Sequence, residues 1–255
     1  SFVVASIRYW NDANDYVLVV PQDANAAWAL GTAGGVNVNK NRIHLLSLGF
    51  NNPGNGYRNT LQGFATTAAV DTEVMLINGA GVEIGGFKLQ GTAGTSDNGT
   101  TTAIVRLGTA AAGTPHGLWM HDMVIENTNA TGPGGTAPAV VSSGNVAAPG
   151  IQGYTFEGVT FSSPDWCPAI LVNLAVSGTA GPSNVLFDNC IFTARVQATT
   201  DAFLNLGTGV TRYTTVRNST WFNTNEGTLP ASAVIGALLA DHPLLLANNT
   251  AIGVT

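Results

Sequence analysis

Apolar and polar residues alternate through short runs of this chain, and the alternation breaks at the same point each time. Six octets share one register: "VEIGGFKL" (82–89), "LWMHDMVI" (118–125), "YTFEGVTF" (154–161), "VLFDNCIF" (185–192), "TTVRNSTW" (214–221) and "LLLANNTA" (244–251). The first position holds Val82, Leu118, Tyr154, Val185, Thr214 and Leu244; the third holds Ile84, Met120, Phe156, Phe187, Val216 and Leu246. The sixth holds Phe87, Met123, Val159, Cys190, Ser219 and Asn249, and the eighth Leu89, Ile125, Phe161, Phe192, Trp221 and Ala251. The fifth is always Gly, Asp or Asn: Gly86, Asp122, Gly158, Asn189, Asn218 and Asn248.

Positions one and three alternate as a strand does, and six and eight resume the alternation on the same side. The fifth position needs a backbone angle that Gly, Asn and Asp tolerate best. Each octet therefore reads as two short strands meeting at a corner. Successive third positions are 36, 36, 31, 29 and 30 residues apart, within the range of solenoid repeats.

A further short apolar strand precedes each octet: "EVMLIN" (73–78), "TAIVRL" (102–107), "PAVVSS" (138–143), "PAILVN" (168–173), "AFLNLG" (202–207) and "AVIGAL" (233–238). Gly-, Ala- and Pro-rich loops such as "GTAAAGTPHG" (108–117) join them to the octets. An earlier, less regular turn fits with "YVLVVP" (16–21) as its short strand and "GVNVNKNRIHLLSLGF" (35–50) as the strands that follow. Three strands per repeat, a corner residue and no helical period predict an all-β fold: a right-handed parallel β-helix of about seven coils over residues 16–255. Neighbouring strands would lie about 4.8 Å apart. Residues 1–15, with Phe2, Val3, Val4, Ile7, Tyr9 and Trp10, read either as a cap or docking arm or as an ordinary first strand. The competing architecture is a β-sandwich with turns every 8–12 residues; the six-fold recurrence of one register argues against it.

Composition adjusts this picture in a few places. Charged residues are 9% of the chain against 45% hydrophobic, so a full core is wrapped in an uncharged surface of Thr, Ser and Asn. The net charge of −6 and the absence of a basic patch argue against nucleic-acid binding. No apolar run approaches the ~18 residues of a membrane span. The segment "SFVVASIRYWNDAND" lacks the pattern of a signal peptide. Two cysteines, Cys167 and Cys190, supply neither a disulfide framework nor a metal spacing. No cofactor is expected.

The segment "YVLVVPQDANAAW…GVNVNKNRIHLLSLGFNNPGNGYRNTLQGF…TEVMLINGAGVEIGGFKLQGT" resembles the opening coils of pectate-lyase-like β-helix proteins found among the virion proteins of tailed phages. The features that carry the resemblance are the "VLVVP" strand, the "NKNRIHLLSLGF" strand and "GVEIGGFKL", over roughly residues 16–92. It implies a protein of a phage particle surface, as capsid decoration, head fibre or tail fibre, usually trimeric. Coils of this kind also occur in polysaccharide lyases and hydrolases.

β-helix enzymes carry acids and bases on the outward side of neighbouring coils. The outward fourth position reads Gly85, His121, Glu157, Asp188, Arg217 and Ala247. Glu157 and Asp188 would lie about 5 Å apart by strand spacing, near the separation of a retaining glycosidase pair. The mixed signs of this column equally describe a solvated ladder with a partial ion pair, and that reading is preferred: no catalytic residue is assigned. "WMHD" (119–122) offers His121 and Asp122 to a metal, but a corner would point them apart, so no metal site is expected. Trp119 and Trp166 could stack on sugar rings or serve packing. Cys190 falls in the inward column and reads as a small core residue. Asn-x-Ser/Thr sequons occur at Asn98, Asn129, Asn218 and Asn248, the last two at corners that already require Asn.

The chain closes on "LLLANNTAIGVT", still within the coil pattern. A solenoid end needs cover, so either a continuation or a partner chain is expected there. Taken together, the sequence predicts a non-enzymatic structural protein of a virion surface, a decoration (cement) or fibre protein. Its partners would be other capsid or fibre subunits in a homotrimer, with host-surface glycan as a further candidate. The alternatives are a tailspike-type polysaccharide depolymerase using Glu157 and Asp188, and a glycan-binding module.

Overall fold

The computed structural model describes residues 16–20, 27–29, 36–47, 59–62, 73–91, 103–108, 116–127, 139–143, 152–164, 170–174, 183–195, 202–206, 212–224, 233–236 and 244–253. Among them are strands and no helix. The strands, numbered in chain order, fall into three sheets that the chain visits in turn. The first sheet holds β1 (Tyr16–Val20), β4 (Ile43–Ser47), β7 (Glu83–Gly85), β10 (Trp119–His121), β13 (Gln152–Glu157), β16 (Ser183–Asp188), β19 (Arg212–Arg217) and β22 (Leu244–Ala247). The second holds β2 (Ala27–Ala29), β5 (Asn59–Gln62), β8 (Phe87–Gly91), β11 (Val124–Asn127), β14 (Thr160–Ser163), β17 (Ile191–Ala194), β20 (Thr220–Asn223) and β23 (Thr250–Ile252). The third holds β3 (Val36–Val38), β6 (Met75–Ile77), β9 (Ala103–Leu107), β12 (Ala139–Ser143), β15 (Ile170–Asn173), β18 (Ala202–Asn205) and β21 (Ala233–Gly236).

Neighbouring strands in each sheet run parallel, each pairing with the strand three ahead of it and three behind. This is the stacked order of a parallel β-helix, and it excludes the antiparallel sandwich. The third positions of the octets are register partners in series, Ile84 to Met120, Phe156, Phe187, Val216 and Leu246.

The early turn differs from the sequence reading by one strand. Tyr16–Val20 pairs with Ile43–Ser47 and so belongs to the first sheet, whereas the short third-sheet strand is Val36–Val38, paired with Met75–Ile77. "YVLVVP" and "EVMLIN" look alike in composition, and only the pairing partner separates them. Strands Ala27–Ala29 (AWA) and Asn59–Gln62 (NTLQ) are too short, and the second too polar, to be read as strands from sequence. The proposed arm at residues 1–15 lies outside the described residues.

All six fifth-position residues have positive φ: Gly86 79°, Asp122 55°, Gly158 62°, Asn189 53°, Asn218 53° and Asn248 52°. The hydrogen-bond ladder does not break there. The corner amides of Asp122, Gly158, Asn189 and Asn218 donate ahead to the carbonyls of Glu157, Asp188, Arg217 and Ala247 at 2.8–3.1 Å. Two residues later the amides of Thr160, Ile191, Thr220 and Thr250 donate back to Met123, Val159, Cys190 and Ser219 at 2.8–2.9 Å. The left-handed residue turns the chain between two sheets without orphaning a buried backbone group.

A second left-handed column, not expected from the sequence, stands one residue before the first five octets and at the matching place in the early turn: Arg42, Gly81, Gly117, Gly153, Asn184 and Tyr213, with φ between 56° and 69°. It turns the chain from the third sheet into the first. Glycine holds half of it and Asn184 one place more; Arg42 and Tyr213 hide the pattern. A tyrosine in this region costs about 1–2 kcal/mol in backbone strain, and Tyr213 is 66% exposed, so burial returns little of that.

The interior is a set of side-chain columns, with positions one, three, six and eight buried from Val82 through Phe192. Its centre is aromatic. Phe156 and Phe187 stack at 4.9 Å and 11°, Phe161 and Phe192 at 5.0 Å and 22°, and Phe192 and Trp221 at 5.7 Å and 13°. Phe161 meets Phe156 and Phe187 edge-on, at 70°. Identical side-chain types at the same register position on neighbouring coils have no choice but to stack. Towards the last coil the sixth position turns polar and bonds along its own column: the Cys190 amide donates to Ser219 Oγ at 3.1 Å, and the Ser219 amide to Asn249 Oδ1 at 2.9 Å. Burial pushes the Cys190 thiol up to about 12, which leaves it inert. In the last coil the core opens, and Leu246, at the third position, is 52% exposed.

Two expectations follow. Phe187→Ala removes a ring that touches Phe156, Phe161 and Phe192 and should cost about 3–5 kcal/mol, read as a loss of chemical-denaturation midpoint. Tyr213→Asn should relieve the strained corner and raise the melting temperature by about 2–4 °C; an unchanged or lower value would show that Tyr213 is not strained.

Candidate functional site

The polar chemistry gathers on the outward face of the first sheet. Two outward columns run along it, His44, Glu83, Trp119, Thr155, Leu186, Thr215 and Leu245 in one, and Leu46, Gly85, His121, Glu157, Asp188, Arg217 and Ala247 in the other. Strand alternation points these residues away from a core that is closed beneath them.

Two bonded groups form within these columns. In the first, Glu83 lies between two histidines. His44 Nδ1 bonds Glu83 Oε2, and His121 Nε2 lies 3.1 Å from Glu83 Oε1. His121 Nδ1 lies 2.9 Å from Asp122 Oδ2, so a carboxylate fixes the ring at each nitrogen. Gly85 makes this reach possible: a Cβ there would collide with the His121 ring. Trp119 packs beside that ring, centroids 4.5 Å apart and planes tilted 35°, and is itself 41% exposed. His121 and Asp122, expected to diverge around the corner, are therefore in contact. The left-handed turn at Asp122 brings its carboxylate back towards the residue before it. Among the described residues no group of three or more His, Cys, Asp and Glu side chains is arranged to hold a metal ion.

In the second group, Arg217 Nε donates to Asp188 Oδ2 at 2.8 Å, its Nη2 donates to the same oxygen, and Asn218 Nδ2 donates to Asp188 Oδ1 at 2.9 Å. The Arg217 hydrogen bond above all holds the Asp188 carboxyl below the usual aspartate range, with Asn218 adding to it and partial burial opposing it. Both oxygens of Asp188 are thus engaged and the group stays ionised.

Glu157 stands between the two groups, in register with His121 on one side and Asp188 on the other. It is exposed, and its carboxylate makes no hydrogen bond or ion pair among the described residues, meeting the Arg217 charge only through space. The structure thus places Glu157 and Asp188 on adjacent strands, one unpaired and one spent on an arginine. Sequence reasoning named both, along with His121, Arg217 and Trp119, and missed His44 and Glu83. The signal for those two lies at the second octet position, where Glu83 and, in the early turn, His44 share a column. Trp166, Cys167, Asn98 and Asn129 lie outside the described residues; Asn218 and Asn248 are exposed corners, and Cys190 is buried.

Elsewhere the outward charges bond from coil to coil. Lys88 Nζ reaches Glu126 at 2.8 Å, Gln90 Nε2 donates to the same oxygen at 2.9 Å, and Arg106 Nη1 donates to Glu73 at 2.8 Å.

No family model matches the chain, and no curated protein matches it. A solved structure from a phage, "Geobacillus virus E2 - ORF18", is a structural neighbour with a TM-score of 0.36 and 12% identity, covering 93% of this chain and 54% of that one. The chain spans about half the length of that neighbour.

The Asp188 pair carries a pH expectation. Its carboxyl is lowered in the folded state, so the stabilisation is present above the unfolded value of about 3.9 and lost as pH falls through the folded value. Arg217→Ala should lower the melting temperature slightly at pH 6–7, because the pair is solvent-screened, and the two proteins should converge in strong acid. Curves that stay parallel from neutrality to about pH 2 would contradict this assignment.

Proposed function

We propose that the chain is a non-enzymatic structural protein of a phage or virus particle, a capsid-surface decoration or fibre subunit. In this reading it is a right-handed parallel β-helix of about seven coils that meets other capsid or fibre subunits as a homotrimer on the virion surface. The observation that carries the proposal is how the outward charges are used. His44, Glu83, His121, Asp188, Arg217, Lys88, Glu126, Arg106 and Glu73 bond to a neighbouring coil instead of converging on an opening. Ties of this kind stiffen a rod and leave little for a substrate. The resemblance of residues 16–92 to virion β-helix proteins supports the same reading.

A second reading is favoured by Glu157, an unpaired acid one strand from an ionised aspartate. In a retaining glycosidase, one carboxyl donates a proton while the other attacks the sugar carbon. The purified chain incubated with host-surface polysaccharide separates the two. The structural reading expects no new reducing or unsaturated ends, together with labelling of the exterior of purified particles by an antibody against the chain. Cleavage that disappears in Glu157→Gln would overturn it in favour of the depolymerase.

A further inference from the structure

Two unbonded polar side chains of the first sheet, Thr155 and Glu157, lie on the strand next to one exposed ring. Trp119 is pinned on one side by His121, whose own orientation is fixed by Glu83 and Asp122. That contact restricts the indole on one side before anything binds, which lowers a usual cost of binding. The register partner of Trp119 on the next strand is Thr155, two residues from Glu157. Neither the Thr155 hydroxyl nor the Glu157 carboxylate has a hydrogen-bond partner among the described residues. Backbone to backbone, Thr155 is one strand spacing from Trp119, about 4.8 Å, and Glu157 lies on the diagonal, about 8 Å away, on the same face of one sheet.

We propose that Trp119, Thr155 and Glu157 form a binding site for an uncharged glycan. A pyranose presents C–H groups on one face and hydroxyls around its rim. The C–H face packs on an aromatic ring, while a carboxylate accepts hydrogen bonds from two hydroxyls and a threonine both donates and accepts. Charge narrows the class. Glu83 is the register partner of Trp119 on the preceding strand, Asp122 bonds the His121 ring packed beside the indole, Glu157 stands one strand on, and the chain carries a net charge of −6. A uronate, sulfate or phosphate on the sugar would meet repulsion there. The site needs no cleavage chemistry and is independent of where the protein resides, so it stands or falls apart from the virion reading.

The test is isothermal titration of the full chain with four neutral tetrasaccharides (cello-, malto-, manno- and tetra-N-acetylchitotetraose), with tetragalacturonate as the acidic comparator and fully deacetylated chitosan tetramer as the cationic one. The expected result is binding to at least one neutral sugar, weakened roughly ten-fold or more in Trp119→Ala, as loss of a stacking contact of about 1.4 kcal/mol implies. Glu157→Ala should weaken it as well. Both side chains are surface-exposed, and unchanged melting temperatures would show that the variants are folded. Failure to bind any neutral sugar, or binding that Trp119→Ala leaves intact, overturns the proposal. So does tetragalacturonate binding as well as the neutral sugars. Binding confined to the chitosan tetramer overturns it in favour of cation recognition by the indole and its carboxylates.

Discussion

Everything in this fold depends on the backbone ladder surviving a change of direction. A parallel strand normally continues into a helix before it can return; here it turns within a single residue. That requires a left-handed φ at the bend, and the residue there must still hand its amide to the next coil. Asn189 shows both: φ of 53°, and an amide 3.1 Å from the Arg217 carbonyl ahead. Because the bends recur in register, every side chain is stacked on its counterpart one coil away. The inward aromatic columns and the outward polar ones are both consequences of that constraint.

Stacking turns a one-dimensional repeat into a continuous core. Phe156, Phe161, Phe187, Phe192 and Trp221 form a run of ring contacts spanning three coils, which no single coil could assemble. The same rule explains why polar residues can enter the interior late in the chain. Ser219 Oγ and Asn249 Oδ1 each accept from a backbone amide one coil back, and Asn249 Nδ2 donates to the Val216 carbonyl, so a buried hydroxyl and a half-buried amide find partners through register.

The corners and inward columns were legible in the sequence because their physics restricts the residue type at one position: Gly, Asn or Asp at the bend, apolar residues on one side of it. The second bend was hidden because Arg42 and Tyr213 occupy it at a cost in strain, which a residue-type pattern cannot register. Strands Ala27–Ala29 and Asn59–Gln62 escaped because they are short and their pairing comes from neighbours over 25 residues away. The outward cluster was half legible. His121 and Asp122 were visible, but their contact depends on how a left-handed corner aims a carboxylate. Their link to Glu83 depends on Gly85 leaving room for a ring. Neither is a property of residue spacing.

The central claim is that octets stack in parallel, one coil on the next, and do not fold back on themselves. Cysteine pairs on the outward face test it directly. Thr155→Cys with Leu186→Cys places two thiols on register partners, at a strand spacing of about 4.8 Å that a disulfide spans. Thr155→Cys with Thr215→Cys separates them by two coils, beyond the ~7 Å limit. With products mapped by peptide mass to exclude the native thiols, mild oxidation should link the first pair and not the second. Cross-linking of Thr155→Cys instead to Ser162→Cys, across the corner to the residue just past the same octet, would mean a hairpin and would contradict the stacked fold.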